Sequence, residues 1–188
     1  TGDTNTFTDI FVKNMQSGAV TRVTVDSSGV EANNDSSSPS ISGDGRYVAF
    51  VSDAGNLAAN DVNGVADIFV HDLQSGTTVR ASVDGNASSW DPSISLDGQF
   101  VVFSSLASNL VSGDTNNVRD IFVYSVQTGQ VTLASVNSSG VQADRGGVDP
   151  SISGDGRYVA FSSAANNLQT VDTLSFTYVY VHDRTTGN

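Results

Sequence analysis

The chain has 188 residues and a formal net charge of −12, from 20 acidic and 8 basic residues. Nineteen of the acids are Asp and seven of the bases Arg, with Glu31 and Lys13 the lone Glu and Lys. This removes the residues that fill solvent-facing helix positions and so excludes a helical protein. An acidic surface repels phosphates, which excludes a nucleic-acid binder, and the absence of cysteine excludes disulfides, thiolate metal sites and Cys nucleophiles. No apolar run reaches the roughly 18 residues that a membrane span needs, so no membrane insertion is expected. The length suits one domain, two at most. The chain opens on Thr1 with no leader sequence, as expected of a mature form or a fragment.

In chain order the sequence repeats itself. Asp9-Ile10-Phe11-Val12 comes first. Then follow Pro39-Ser40-Ile41-Ser42, the turn Asp44-Gly45, the apolar run Tyr47-Val48-Ala49-Phe50, Asn56-Leu57 and a second Asp-Ile-Phe-Val at Asp67. The same succession restarts at Pro92 and at Pro150, and those three prolines are all that the chain has. The last strand copy is degenerate, Tyr178-Val179-Tyr180-Val181. Successive copies of this strand lie 58, 53 and 58 residues apart, whereas proline to strand is 28 residues every time. One half of the unit is therefore fixed, and one loop absorbs every length change, as loops do.

Each unit reads as four strands. Pro-Ser-Ile-Ser is the first. An Asp-Gly hairpin turn leads to the second, residues 46–52 in the first full copy. The third is 67–72, and a turn at Gln74-Ser75-Gly76 leads to the fourth, 79–83. Strands two and three are nearly continuous apolar runs, which need cover on both faces. Four-stranded antiparallel units stacked this way are β-propeller blades. The units divide the chain into a partial blade (1–38), two blades (39–91 and 92–149) and an incomplete blade (150–188).

The motif Pro-Ser-Ile-Ser-x-Asp-Gly-Arg-Tyr-Val-Ala-Phe, followed by Asp-Ile-Phe-Val-His-Asp-x-x-x-Gly, resembles the repeat of TolB-like (WD-repeat-like) β-propellers over essentially the whole chain. The resemblance implies an all-β, propeller-type array of blades. Such propellers serve as periplasmic interaction modules, as gating domains of peptidases and in secreted bacterial surface proteins. Strand phase predicts two, four, four and three strands, thirteen in all. A closed ring needs ~4–8 blades of four strands, so this chain does not close alone. Either it is a fragment of a larger propeller, or its incomplete ends join head to tail between chains into a ring or filament.

The loop before strand three carries the pattern Asp-x-Asn-x-x-x-Asp. Its copies are Asp3, Asn5 and Asp9; Asp61, Asn63 and Asp67; Asp114, Asn116 and Asp120. Oxygens at this spacing can wrap Ca²⁺, which takes about 6–8 oxygen ligands. The spacing is similar to the last part of the Asp-x-Asp-x-Asp-Gly-x-x-Asp loops of calcium-binding propellers. The first position departs from them, being Thr1, Ala59 or Ser112. The same residues suit Asx-turns that bond only their own backbone. In the fourth unit the equivalent positions are Asp172, Leu174 and Tyr178, and no site is expected there. The meander places this loop on the same rim as the length-variable loop between blades (26–38, 84–91 and 137–149). That rim is the expected partner surface. Trp90 reads either as a lid on its blade or as a ligand contact.

Other signals are structural. His71 and His182 share one repeat slot and read as surface histidines beside Asp. Asp72 and Asp183 read as turn caps, and Arg46 and Arg157 as partners of a nearby Asp. Gly43 and Gly45 form a hairpin turn rather than a phosphate cradle, and there is no Gly-x-Ser-x-Gly elbow. The expected function is a non-catalytic extracellular or cell-surface scaffold or adhesion module, with the periplasm as the alternative site. Calcium would stabilise it, and its partners would be copies of itself or the remaining blades of a longer chain. The competing reading is a propeller that gates a hydrolase. A sugar-binding propeller would want an aromatic in every repeat, and Trp90 has no counterpart.

Overall fold

The computed structural model describes residues 2–169 and 176–188. Within them are thirteen strands and no helix, in four antiparallel sheets of two, four, four and three strands. The first sheet pairs β1 (Phe11–Lys13) with β2 (Val20–Arg22). The second runs β3 (Ser36–Ile41), β4 (Tyr47–Ser52), β5 (Asp67–Asp72) and β6 (Thr77–Arg80) in spatial order. The third repeats it with β7 (Ser89–Ile94), β8 (Phe100–Ser105), β9 (Asp120–Ser125) and β10 (Val131–Leu133). The fourth has β11 (Gly147–Ile152), β12 (Tyr158–Ser163) and β13 (Tyr178–Asp183). Among the described residues, then, the sheets are blades of an array that is not closed.

The first strand of each full blade begins three residues before its proline, earlier than the motif predicts. Ser37 pairs with Val51 and Ser40 with Ala49, so Ser38 and Pro39 together oppose Phe50 alone. This is a β-bulge, and it recurs at Asp91-Pro92 and Asp149-Pro150. Pro has no N–H to give a ladder and is tolerated at a bulge. The residue ahead of it bears the cost: Ser38, Asp91 and Asp149 hold φ of 53°, 55° and 51°.

The Asp-Gly turns are built by their own side chains. Ser42 Oγ donates to Asp44 Oδ1 at 2.6 Å, and the Arg46 amide donates to the same oxygen at 3.0 Å. Ser95-Asp97 and Ser153-Asp155 copy the first bond. Neighbouring inner hairpins then bond to each other, Gly43 N to Leu96 O at 2.9 Å and Asp97 N to Gly154 O at 3.2 Å.

Apolar clusters lie between blades, because residues of alternate parity along each strand face opposite neighbours. Val48, Phe50 and Phe69 meet Ile10 and Val23 of the first blade. Ala49, Ile68 and Val70 meet Val101, Phe103 and Phe122 of the third. Val102, Ile121 and Val123 meet Val159 and Phe161 of the fourth. Strands β4, β5, β8 and β9 are almost wholly buried. The exception is the far face of the fourth blade. Val179 and Val181 are 74% and 60% exposed, whereas their repeat equivalents Ile121 and Val123 are 0% and 1%.

The two histidines are not on the surface. Their slot faces the preceding blade, so His71 and His182 are buried. His71 Nδ1 contacts Thr78 Oγ1 at 2.9 Å, while His182 Nδ1 is buried without a hydrogen-bond partner. Burial holds both imidazoles below the usual histidine range. The turn caps and arginine pairs stand as read. Arg46 grips Asp72 through Nε at 2.9 Å and Nη2 at 2.7 Å, and Asp72 also caps the Gln74 amide at 2.9 Å. Arg157 and Asp183 repeat the pair at 2.6 Å.

Candidate functional site

The loop before strand three and the variable loop between blades do share one rim. They are tied by asparagines: the central Asn of each Asp-x-Asn-x-x-x-Asp loop, expected as a cation ligand or an Asx-turn, also clamps the variable loop. Asn5 Nδ2 donates to Ala32 O, Asn63 Nδ2 to Gly85 O and Asn116 Nδ2 to Ala143 O, at 3.1, 2.9 and 3.0 Å. The Asn of each Asn-Leu motif is a second clamp. Asn56, Asn109 and Asn167 receive the amides of Asn33, Asn86 and Asp144, and donate to the carbonyls of Glu31, Asp84 and Gln142. Recurrence of Asn at a fixed offset was the available signal.

The five extra residues of the two longer variable loops go into a small hairpin, closed by the bridges Val25–Glu31 and Val136–Gln142. Asp26 and Asn137 cap its turn. Trp90 lies in β7 rather than in the loop, with the Arg119 guanidinium 4.2 Å from its ring centre. Its ring is packed under that guanidinium.

The Asp-x-Asn-x-x-x-Asp residues come together in each blade. The central Asn forms an Asx-turn, its Oδ1 accepting the amide two residues on: Phe7, Val65 and Val118. The side chain of the last Asp is buried and accepts a hydroxyl from the segment just beyond the last strand of its blade: Thr24 to Asp9, Ser82 to Asp67, and Ser135 to Asp120 at 2.5 Å. That leaves Oδ2 of this Asp and the carboxylate of the first Asp facing the same place.

What stands in that place differs between blades. In the second blade Arg80 Nη1 bridges Asp61 Oδ1 at 2.7 Å and Asp67 Oδ2 at 3.4 Å. Burial and the charge of Asp67 still push the Asp61 carboxyl above its usual range, against the pull of Arg80. In the first blade Arg22 lies 3.6 Å from both Asp3 Oδ1 and Asp9 Oδ2, and 2.6 Å from Glu31 Oε1. In the third blade the arginine position is Leu133. Asp114 Oδ1 and Asp120 Oδ2 are buried there with no hydrogen-bond partner. Burial pushes Asp120 up to about 6, helped by the charge of Asp114, and burial raises Asp114 too.

Among the described residues no three His, Cys, Asp or Glu side chains gather closely enough to hold a metal by themselves. A cation on this rim would therefore complete its shell from Asn, Gln or backbone oxygens. The fourth copy, with Asp172 and Leu174, lies outside the described residues. No helix among the described residues is long and apolar enough to cross a membrane.

No protein-family model matches the chain, and no curated protein matches its sequence. Solved structures do match. A TolB from Acinetobacter baumannii superposes with a TM-score of 0.55 at 19% identity, over 96% of this chain and 36% of that one. An oligogalacturonate lyase from Vibrio parahaemolyticus gives 0.56 at 12%, over 96% and 44%. A prolyl endopeptidase gives 0.56 at 16%, over 96% and 25%. The chain thus spans less than half of each of these proteins, and at such identities the likeness concerns the fold alone.

Proposed function

We propose that this open array of β-propeller blades, similar in fold to TolB, is a non-catalytic, calcium-stabilised scaffold or adhesion module acting outside the cytoplasm. Its open end is covered by a second copy joined head to tail; the remaining blades of a longer chain are the competing source, which a chain that stays monomeric would favour. Head-to-tail joining gives a ring or an extracellular fibre, depending on whether the rotation closes. The observation that carries the reading is the face of the fourth blade, where Val179 and Val181 are bare. In the internal blades the same positions are sealed by the next blade. Contiguous exposed apolar surface marks an interaction site, and the array itself shows what fits there.

Support for a structural role comes from the buried polar groups. Asp67 and Asp120 tie strand three to Ser82 and Ser135, just beyond strand four, and His71 ties to Thr78 across the same sheet. The prolyl endopeptidase likeness favours a second reading, a propeller domain gating a hydrolase. An α/β-hydrolase domain encoded in the same gene would decide for it.

Sedimentation velocity over a wide concentration range tests the proposal. The parent chain should associate reversibly, and Val179→Lys/Val181→Lys should be monomeric with an unchanged circular-dichroism spectrum. A parent chain that stays monomeric at the highest concentration overturns it.

A further inference from the structure

The three rim loops share a sequence pattern but not a charge balance. In the first two blades an arginine from strand four, Arg22 or Arg80, faces the loop carboxylates. In the third, two positions have changed together. Leu133 stands where the arginine would be, and Gln142 stands where the first blade has Glu31, the arginine's closest partner. Gln142 keeps the rest of Glu31's work: its Oε1 accepts from Thr115 N at 3.3 Å, as Glu31 Oε2 does from Thr4 N at 3.3 Å. Both halves of the ion pair are gone, yet the two aspartates remain.

Those aspartates are buried. Asp120 is 0% exposed and Asp114 8%, and each has one oxygen without a partner. The orphaned atoms, Asp114 Oδ1 and Asp120 Oδ2, are the equivalents of the two that Arg80 Nη1 bridges in the second blade. The fold has thus kept a seat for positive charge while losing the residue that sat in it. Uncompensated buried carboxylates are costly and call for a paired cation.

We propose that the third blade binds one Ca²⁺ on this rim, with Asp114 and Asp120 as its charged ligands, in the seat that arginine occupies in the first and second blades. The inference rests on the reading of the rim as calcium-stabilised and narrows it to one site; it does not depend on the open end face. Two carboxylates neutralise a divalent ion. The side-chain oxygen of Asn116 has a lone pair beyond the bond it accepts from Val118 N, whereas Gln142 Oε1 already accepts from both Thr115 N and Thr115 Oγ1; backbone carbonyls and water complete the shell. The donors are all oxygens, which suits a hard cation. The seat accepts contacts of 2.7 and 3.4 Å in the second blade. Ca²⁺ tolerates a flexible shell of about 6–8 oxygens, whereas Mg²⁺ demands near-ideal octahedral geometry, so an irregular seat first shaped for a guanidinium suits Ca²⁺ better.

Isothermal calorimetry and thermal melting of the full chain decide it, with CaCl₂ as the probe and EDTA and MgCl₂ as the other arms. The parent should bind one equivalent of Ca²⁺, in the ~10⁻⁴–10⁻³ M range of weak extracellular sites, and melt higher with it than with EDTA or Mg²⁺. Leu133→Arg should bind at least tenfold more weakly, while melting in EDTA no lower than the parent. That second readout shows the variant to be folded. No binding by the parent overturns the proposal and favours a proton held between the carboxylates. Undiminished binding by Leu133→Arg, or an equal response to Mg²⁺, also overturns it. Three equivalents overturn the single-blade assignment but leave a calcium rim standing. None of these outcomes touches the sedimentation test of the end face.

Discussion

Arg80 offers the sharpest test of how the rim is held together. Its side chain is 7% exposed, and it stands between Asp61 at 4% and Asp67 at 0%. Arg80→Leu copies in the second blade what the third blade has naturally at Leu133, and leaves two buried carboxylates unpaired. Removing one partner of a buried ion pair costs about 3–5 kcal/mol. For a protein of this size each kcal/mol moves the melting midpoint by roughly 2–4 °C, so the expected drop is roughly 6–20 °C. Urea and thermal unfolding in EDTA, followed by circular dichroism and Trp90 fluorescence, measure it. Arg46→Ala is the comparison, because Arg46 is 39% exposed and an exposed pair with similarly short contacts contributes far less. Millimolar CaCl₂ should restore part of the Arg80→Leu loss, since the variant recreates the seat of the third blade. A loss below about 1 kcal/mol, outside the range for a broken buried pair, or one no larger than for Arg46→Ala, would refute the reasoning.

Other predictions concern the contacts that set the blades. Asn109→Ala removes two bonds to the variable loop and should cost about 1–3 kcal/mol in urea unfolding. Gly98→Ala puts a Cβ at φ +71° and 2.6 Å from Tyr47 Cδ2, and should cost about 1–3 kcal/mol from the backbone conformation alone; no loss would contradict the turn. His71 and His182 are held below the usual histidine range by burial, so the folded state prefers them neutral. Their contribution is complete above the unfolded value of about 6.5 and is lost as pH falls below it. The parent should therefore lose more stability between neutral and mildly acidic pH than His71→Gln/His182→Gln, and equal losses would contradict the burial argument.

The strand count and phase were legible because apolar runs and Asp-Gly turns recur at fixed offsets. Strand three is buried on both faces within a blade stack, and its Asp-Ile-Phe-Val signature says so. The early start of β3, β7 and β11 was hidden, because a proline normally ends a ladder and only the bulge lets it stay. The burial of His71 was hidden for a related reason: a strand covered on both faces has no surface side for a polar residue to mark. The rim pattern of Asp3, Asn5 and Asp9 and its copies was legible as a cluster. Its electrostatics were not, because the residue that decides them lies in strand four, about thirteen residues beyond the motif. Arg22, Arg80 and Leu133 look unremarkable until β2, β6 and β10 lay them beside the loop.

The account treats this chain as an open blade array whose exposed end is completed by another blade. Electron microscopy of the purified chain, with and without Ca²⁺, tests that most directly. The account predicts rings or filaments built from blade arrays joined end to end, more uniform with Ca²⁺. A field of isolated, open blade arrays in both conditions, at concentrations where the end faces should meet, would contradict it.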